Sequence, residues 1–176
     1  MKKVKFFALS GSLRKASYNS AALMALAKNT PDHIEIVIGD ISQLPLFNPD
    51  LESEVISALE KLKSELKSSS GLIISSPEYA HGISAPMKNA LDWLVNSSEF
   101  PDTPIMLINT SPRAIHALES LKEVLTTMSG IIIENANVAI PLLGSVLVDG
   151  KIHEDSDCHA ILSKGINTFY NEVVNT

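Results

Sequence analysis

Residues 4–19 read VKFFALSGSLRKASYN, and this stretch indicates the fold. Apart from Lys5, residues 4–9 are apolar, which is typical of a strand covered on both faces of a parallel sheet. Residues 10–19 are polar, include the flexible Gly11 and lead into a helical period. A buried strand, a polar loop and a helix in this order form the first unit of an alternating α/β fold.

The same alternation continues along the chain. Short apolar runs bounded by turn residues predict four more strands, at residues 34–38, 72–75, 105–108 and 131–140. Helical periods follow each strand, and the third helix is expected to begin after Pro86, whose fixed φ suits a first turn. Right-handed crossovers turn such units into an open sheet with helices on both faces. We therefore expect an α/β, flavodoxin-like three-layer sandwich, with a five-stranded parallel sheet of order 2-1-3-4-5.

Composition limits the classes of function. The 176 residues are 45% hydrophobic, enough for one core, so we expect a single domain over residues 1–176. A net charge of −6 gives little attraction for nucleic acid or an anionic membrane, and no apolar run approaches the ~20 residues of a spanning helix. We expect neither partner. The lone Cys158 cannot form an intramolecular disulfide and the start of the chain lacks a signal-peptide pattern, so a cytoplasmic location is expected.

Two loops follow strands one and three, where sheets of this order bind ligands. The first, residues 10–19, offers hydroxyls, an amide and cations just before a helix, where unpaired N–H groups and the helix dipole favour an anion. It contains neither a dinucleotide fingerprint nor a triphosphate loop, so a terminal monophosphate such as that of FMN fits better. The alternative is that Ser17 or Asn19 only caps the helix and Arg14 is a surface charge.

The second loop, residues 75–86, reads SSPEYAHGISAP. Two prolines make it rigid, while Ala80 and Gly82 keep it slim enough for its backbone to approach a flat ring. It could border an isoalloxazine ring. Flavin chemistry belongs to the cofactor, so no catalytic side chain is expected.

Together the loops resemble the NADPH-dependent FMN reductase family, which includes quinone, chromate and azo-dye reductases. The resemblance is carried by GSLR and SYN within residues 11–19 and by PEY and PMKNALDW within residues 77–93, and it extends over about residues 3–130. It implies FMN as cofactor, NADPH or NADH as hydride donor, a small-molecule electron acceptor such as a quinone, and a homodimer or homotetramer.

The resemblance also implies which residues bind the flavin. Those of the phosphate loop are Ser10, Ser12, Arg14, Ser17, Tyr18 and Asn19. Those beside the ring, acting mostly through the backbone, are Pro77, Glu78, Tyr79, Ala80 and His81, with Thr110 and Ser111 from the loop after strand four. The chain departs from the family pattern at Ala80, where Asn is frequent, and at Pro112 and Arg113, where many members have a Gly-rich turn.

Other residues have open or structural interpretations. No metal site is expected, because no His-Glu-x-x-His or similar spacing occurs. Glu78 either pairs with a charge across a subunit boundary or bonds its own loop, and Arg113 either holds a phosphate of NAD(P)H or lies on the surface. Structural roles are expected for four residues of the third helix, with Trp93 either in packing or at a subunit contact: Lys88, Asn89, Asp92 and Trp93.

Three functions remain at this point. The first is an FMN-dependent NAD(P)H oxidoreductase that works by a ping-pong mechanism, since one open flavin face must serve both substrates. The second is a flavodoxin-type electron carrier, which the cations Arg14 and Lys15 in the phosphate loop disfavour. The third is a non-catalytic flavin-binding regulatory domain, which only the departures at Ala80 and at Pro112 and Arg113 support.

Overall fold

The computed structural model describes residues 1–142, 147–154 and 156–175. In chain order its elements are β1 (Val4–Ser10), α1 (Tyr18–Asn29), β2 (Ile34–Gly39), α2 (Ser57–Lys67), β3 (Leu72–Ser75), β4 (Glu78–Tyr79), β5 (Gly82–Ile83), α3 (Ala85–Leu94), β6 (Pro104–Asn109), α4 (Ile115–Thr127), β7 (Ile131–Ile132), β8 (Val138–Ala139), β9 (Leu147–Val148), β10 (Lys151–Ile152) and α5 (Cys158–Asn175). Short 3₁₀ turns lie at Pro49–Leu51 and Glu134–Ala136.

The central sheet is parallel and confirms the predicted order. Its strands run β2-β1-β3-β6, and both β7 and β8 pair with the outer side of β6. The continuous fifth strand predicted over residues 131–140 is wrong, because the 3₁₀ turn at Glu134–Ala136 divides it. Asn137 lies between the two short strands, and its Oδ1 accepts the N–H of Leu107 in β6 at 2.7 Å. A side chain thus takes the place of a backbone acceptor at this point of the sheet.

Both faces of the sheet are covered, as the apolar runs predicted. Phe6 and Ala8 of β1 face a core built with α1 and α5. Phe7 and Leu9 of the same strand face a second core built with α2, α3 and α4. This alternation follows from the two-residue period of a strand.

Helix α3 begins at Ala85 with Pro86 inside its first turn, slightly earlier than predicted. Two hairpins, β4–β5 and β9–β10, were not predicted. Over the described ranges, no helix has the length and apolarity needed to cross a membrane.

Candidate functional site

The two predicted loops leave the same edge of the sheet. Ser10 at the end of β1 lies in register with Ser75 at the end of β3. The Gly11 N–H donates to the Ser75 carbonyl at 2.8 Å, and the Ser84 hydroxyl donates to the Gly11 carbonyl at 2.7 Å. A Cβ at Gly11 would lie 2.3 Å from Ser76 Oγ, so only glycine lets the loops approach this closely.

Within the phosphate loop, residues 10–19, hydroxyls fix the start of α1. Ser17 is the N-cap residue and accepts the Ser20 N–H at 3.2 Å. The Ser10 and Ser20 hydroxyls lie 2.9 Å apart, and Ser12 Oγ accepts the Arg14 N–H at 3.4 Å. Ser17 thus has the capping role that the sequence left open, and its side-chain oxygen is already used by the protein.

The same loop has an uncompensated positive character. The first turn of α1 has no acidic residue, and its first N–H groups have no partner within the helix. Arg14 is exposed, and within the described ranges no carboxylate pairs with it. Cation and N–H donors at one helix start suit a phosphate.

Asn19 and Thr110 connect three elements at this edge. Asn19 is 5% exposed, and its Oδ1 accepts from Ser75 Oγ at 2.9 Å and from Thr110 Oγ1 at 3.1 Å. The amide thereby joins α1 to the ends of β3 and β6. Both residues lie in the predicted loops, but Asn19 Oδ1 and Thr110 Oγ1 bond other parts of the protein and so hold the loops together.

The ring loop, residues 76–84, contains the hairpin β4–β5 with Ala80 and His81 as its turn. Their φ angles are 49° and 61°, the left-handed values required at both central residues of a type I′ turn. Asn-Gly is the usual pair there, because other side chains are strained. Tyr79 is 53% exposed, so the hairpin presents an aromatic ring and a strained turn to solvent beside the phosphate loop.

Glu78 joins this hairpin to α4. Its Oε2 accepts the Ala117 N–H at 2.9 Å, and its Oε1 lies 3.1 Å from His81 Nδ1. The N-cap residue of α4, Ala114, has no side chain that can cap, so Glu78 caps this helix from another loop. Donation by the Ala117 N–H, followed by His81, lowers the pKa of Glu78. Of the two interpretations left open, the bond within its own loop is observed, to His81, and Glu78 also bonds the backbone of α4.

The third loop follows β6. Ser111 donates its N–H to Asn109 Oδ1 at 3.0 Å, and its hydroxyl oxygen accepts the Arg113 N–H at 3.3 Å. Arg113 is exposed near His116, whose ring meets that of His81 edge to face at 4.5 Å. Loops one, two and three therefore converge at one edge, as the sequence predicted.

The structural interpretation of α3 is confirmed. Asn89 bonds the backbone at Pro45 and Phe47, and Lys88 pairs with Asp92. Trp93 is 4% exposed and donates Nε1–H to the Pro45 carbonyl at 2.8 Å. Of the two roles considered for Trp93, packing is the one observed; the indole is not available for a subunit contact.

Sequence reasoning missed the hairpin β9–β10. Its turn, Asp149–Gly150, lies beside the phosphate loop, since a Cβ added to Gly150 would be 3.9 Å from Ala16 Cα. The Asp-Gly pair between Val148 and Lys151 is a strong hairpin signal that could have revealed it.

Comparison with known proteins agrees with this geometry. The model of the NADPH-dependent FMN reductase family matches residues 4–143. The chain belongs to this family. Its resemblance to FMN reductases is confirmed, and the family's cofactors are FMN and NAD(P)H.

Individual relatives carry related names. The chain is 35% identical over 99 residues to an NAD(P)H-dependent FMN reductase of Pseudomonas aeruginosa, covering 56% of this chain and 54% of the relative. It is 32% identical over 120 residues to a quinone reductase of Escherichia coli K12, covering 64% and 62%. Each match thus spans less than two thirds of the relative's length.

Among solved structures, FerB, a flavoenzyme NAD(P)H:(acceptor) oxidoreductase from Paracoccus denitrificans, superposes with a TM-score of 0.85. That match covers 98% of each chain at 24% identity, which supports the fold alone.

Proposed function

We propose that this chain is an FMN-dependent NAD(P)H oxidoreductase that reduces quinones or other small electron acceptors, using donor and acceptor in turn. The observation that carries the proposal is the start of α1. There, no carboxylate among the described residues pairs with Arg14, and the first N–H groups of the helix have no bond in the same part of the chain. They lie at the sheet edge near the exposed hairpin β4–β5.

The phosphate of FMN is assigned to the loop of residues 10–19. Arg14 and the N–H groups of Tyr18 and Asn19 are the donors available for it, and the hydroxyls of Ser10 and Ser12 lie close by. Ser17 supports these groups by capping the helix. Asn19 and Thr110 support them by holding the strand ends together.

The flavin ring is assigned to the hairpin β4–β5. The backbone from Pro77 to His81 would hold the ring, together with Ser111 of the third loop. FMN held by these residues would supply two-electron redox chemistry between a nicotinamide donor and the acceptor. The exposed Tyr79 and His81 flank the side from which both substrates enter.

Arg14→Ala tests the phosphate assignment, with Lys15→Ala as the matched control. A lost charge-assisted hydrogen bond should weaken FMN binding by roughly tenfold or more. Riboflavin, which lacks the phosphate, should bind both variants and the parent equally. Fluorescence quenching of the flavin by apoprotein measures both affinities. Equal FMN affinity in Arg14→Ala and the parent would contradict the assignment.

Initial rates test the alternating order of substrates. With NADPH varied at several fixed quinone concentrations, double-reciprocal plots should give parallel lines. Intersecting lines would show that donor and acceptor occupy the site together and would refute that order.

We further propose that the chain forms a homo-oligomer through the surface beside α3. Three apolar side chains are strongly exposed there: Leu46 (83%), Val55 (88%) and Val95 (56%). The Phe47 N–H donates to Asn89 Oδ1 and the Asn96 amide donates to Glu52 Oε1, which brings their segments together. Light scattering should give a dimer or tetramer mass that falls to the monomer in Leu46→Asp; an unchanged mass would reject this surface.

A further inference from the structure

The hairpin β9–β10 lies outside the loops assigned to FMN, and the core anchors it. Ile152 of β10 is 6% exposed, and Leu147 of β9 packs against the same core as α1. Leu147 pairs with Ile152 at the open end of the hairpin, whereas Val148 pairs with Lys151 next to the turn. The hairpin is therefore fixed at its base, and its tip projects along α1.

The tip reaches the middle of the phosphate loop. Asp149 and Gly150 have φ angles of 50° and 76°, which is the type I′ geometry of a two-residue hairpin. A Cβ built on Gly150 would lie 3.9 Å from Ala16 Cα and 4.0 Å from the Lys15 carbonyl oxygen. The turn thus lies beside the backbone just after Arg14, with room for about one methyl group between them.

That part of the phosphate loop has little other support. Ser12 Oγ accepts the Arg14 N–H and Ser17 caps α1, but between them no hydrogen bond involving Lys15 or Ala16 occurs in the described part of the chain. The position of Arg14 relative to the start of α1 depends on this stretch.

We infer that the hairpin β9–β10 positions the phosphate loop: its Asp149–Gly150 turn limits the movement of the neighbouring Lys15–Ala16 backbone, so that Arg14 and the first N–H groups of α1 can bind the same anion. The inference rests on the proposed assignment of the FMN phosphate to this loop. Pre-ordering a binding loop raises affinity because less freedom is lost on binding.

Gly150→Val tests the inference, since a β-branched residue is a strong outlier at positive φ and must move the tip. Gly150→Ala is a milder version in case the valine variant folds poorly, and Val148→Thr, on the exposed strand face, is the control that leaves the turn intact. FMN and riboflavin affinities are measured on each apoprotein by flavin fluorescence.

We expect Gly150→Val to weaken FMN binding by about tenfold and Gly150→Ala by a smaller factor, with riboflavin affinity unchanged in both. Val148→Thr should match the parent. A parallel loss for both flavins would indicate general damage and overturn the inference, as would unchanged FMN affinity in both glycine variants. If the parent itself bound riboflavin as tightly as FMN, the phosphate assignment would fail and the inference with it.

Discussion

At the scale of single residues, Glu78 shows how one carboxylate serves two loops. It caps α4 through the Ala117 N–H and contacts His81, and this capping lowers its pKa. A carboxyl whose pKa falls on folding stabilises the protein above its ordinary value of 4.5. That stabilisation is lost as the pH drops through the lower, folded-state pKa.

Glu78→Gln keeps an acceptor oxygen but removes the charge. We expect the variant to have a lower free energy of unfolding than the parent at neutral pH. This difference, the stability gap, should close as the pH falls below 4.5. Urea unfolding between pH 3.5 and 8 measures the gap, with the exposed Glu35→Gln as control. A gap that stayed constant through the acid range would show that the charge of Glu78 contributes nothing.

Ala80 carries the strain of the ring hairpin. A left-handed conformation costs a residue with a Cβ about 1–2 kcal/mol, whereas glycine adopts it freely at a smaller cost in unfolded-state entropy. Ala80→Gly should therefore raise the free energy of unfolding by about 0.5–1 kcal/mol and Tm by roughly 2 °C. Ala160→Gly, the same change at an exposed position in α5, should destabilise. Thermal unfolding of the two apoprotein variants and the parent measures the change in Tm. Equal destabilisation by both changes would argue against the left-handed turn.

At the scale of elements, α1 is the helix on which the site depends. Ser17 is buried, at 4% exposure, and caps this helix. Ser17→Ala should therefore lower the free energy of unfolding of the apoprotein by about 1 kcal/mol. Ser120→Ala removes an exposed hydroxyl within α4 and should be neutral. Chemical denaturation of the apoproteins compares them; if the two variants behaved alike, Ser17 would have no capping role.

The elements that the sequence predicted are those with a strong period. Continuous apolar runs predicted β1, β2, β3 and β6, because burial on both faces leaves no other composition for these strands. The ring hairpin β4–β5 was missed because its turn is Ala80–His81 rather than Asn-Gly. The fifth strand was predicted too long because Asn137 replaces a backbone partner through its side chain, which periodicity does not report.

The sequence predicted that the loops of the site meet at one edge of the sheet, but not the contacts of each residue. Because the ends of parallel strands meet at one edge, residues of three loops could be grouped from the sequence alone. Which of them bind the ligand and which hold the loops depends on distances. Asn19 meeting Thr110 across 91 positions, and Glu78 reaching α4, have no local signature in the sequence.

At the scale of the whole molecule, two cores share one sheet. Phe169 of α5 is fully buried, lies 4.6 Å from the ring of Phe6 and fills the space above Gly71, where a Cβ would come within 2.8 Å of it. It links the last helix to β1 and to the start of β3.

Phe169→Ala should destabilise the protein by about 3–5 kcal/mol, because it removes a buried aromatic ring and leaves a cavity. Ile161→Ala, at a 38% exposed position of the same helix, should cost far less. Urea unfolding followed by circular dichroism compares them, and a similar cost for both would mean that α5 is not anchored as described.

The central claim, that this chain is an NAD(P)H-dependent flavin reductase, is tested most directly by its visible spectrum. The purified protein is loaded with FMN and mixed anaerobically with an excess of NADPH or NADH in a stopped-flow instrument, and the visible absorption band of the flavin is followed. We predict that FMN binds and that its band bleaches rapidly with at least one nucleotide and returns when a quinone is added. Bound FMN that neither nucleotide bleaches would contradict the account, and so would a failure to bind FMN.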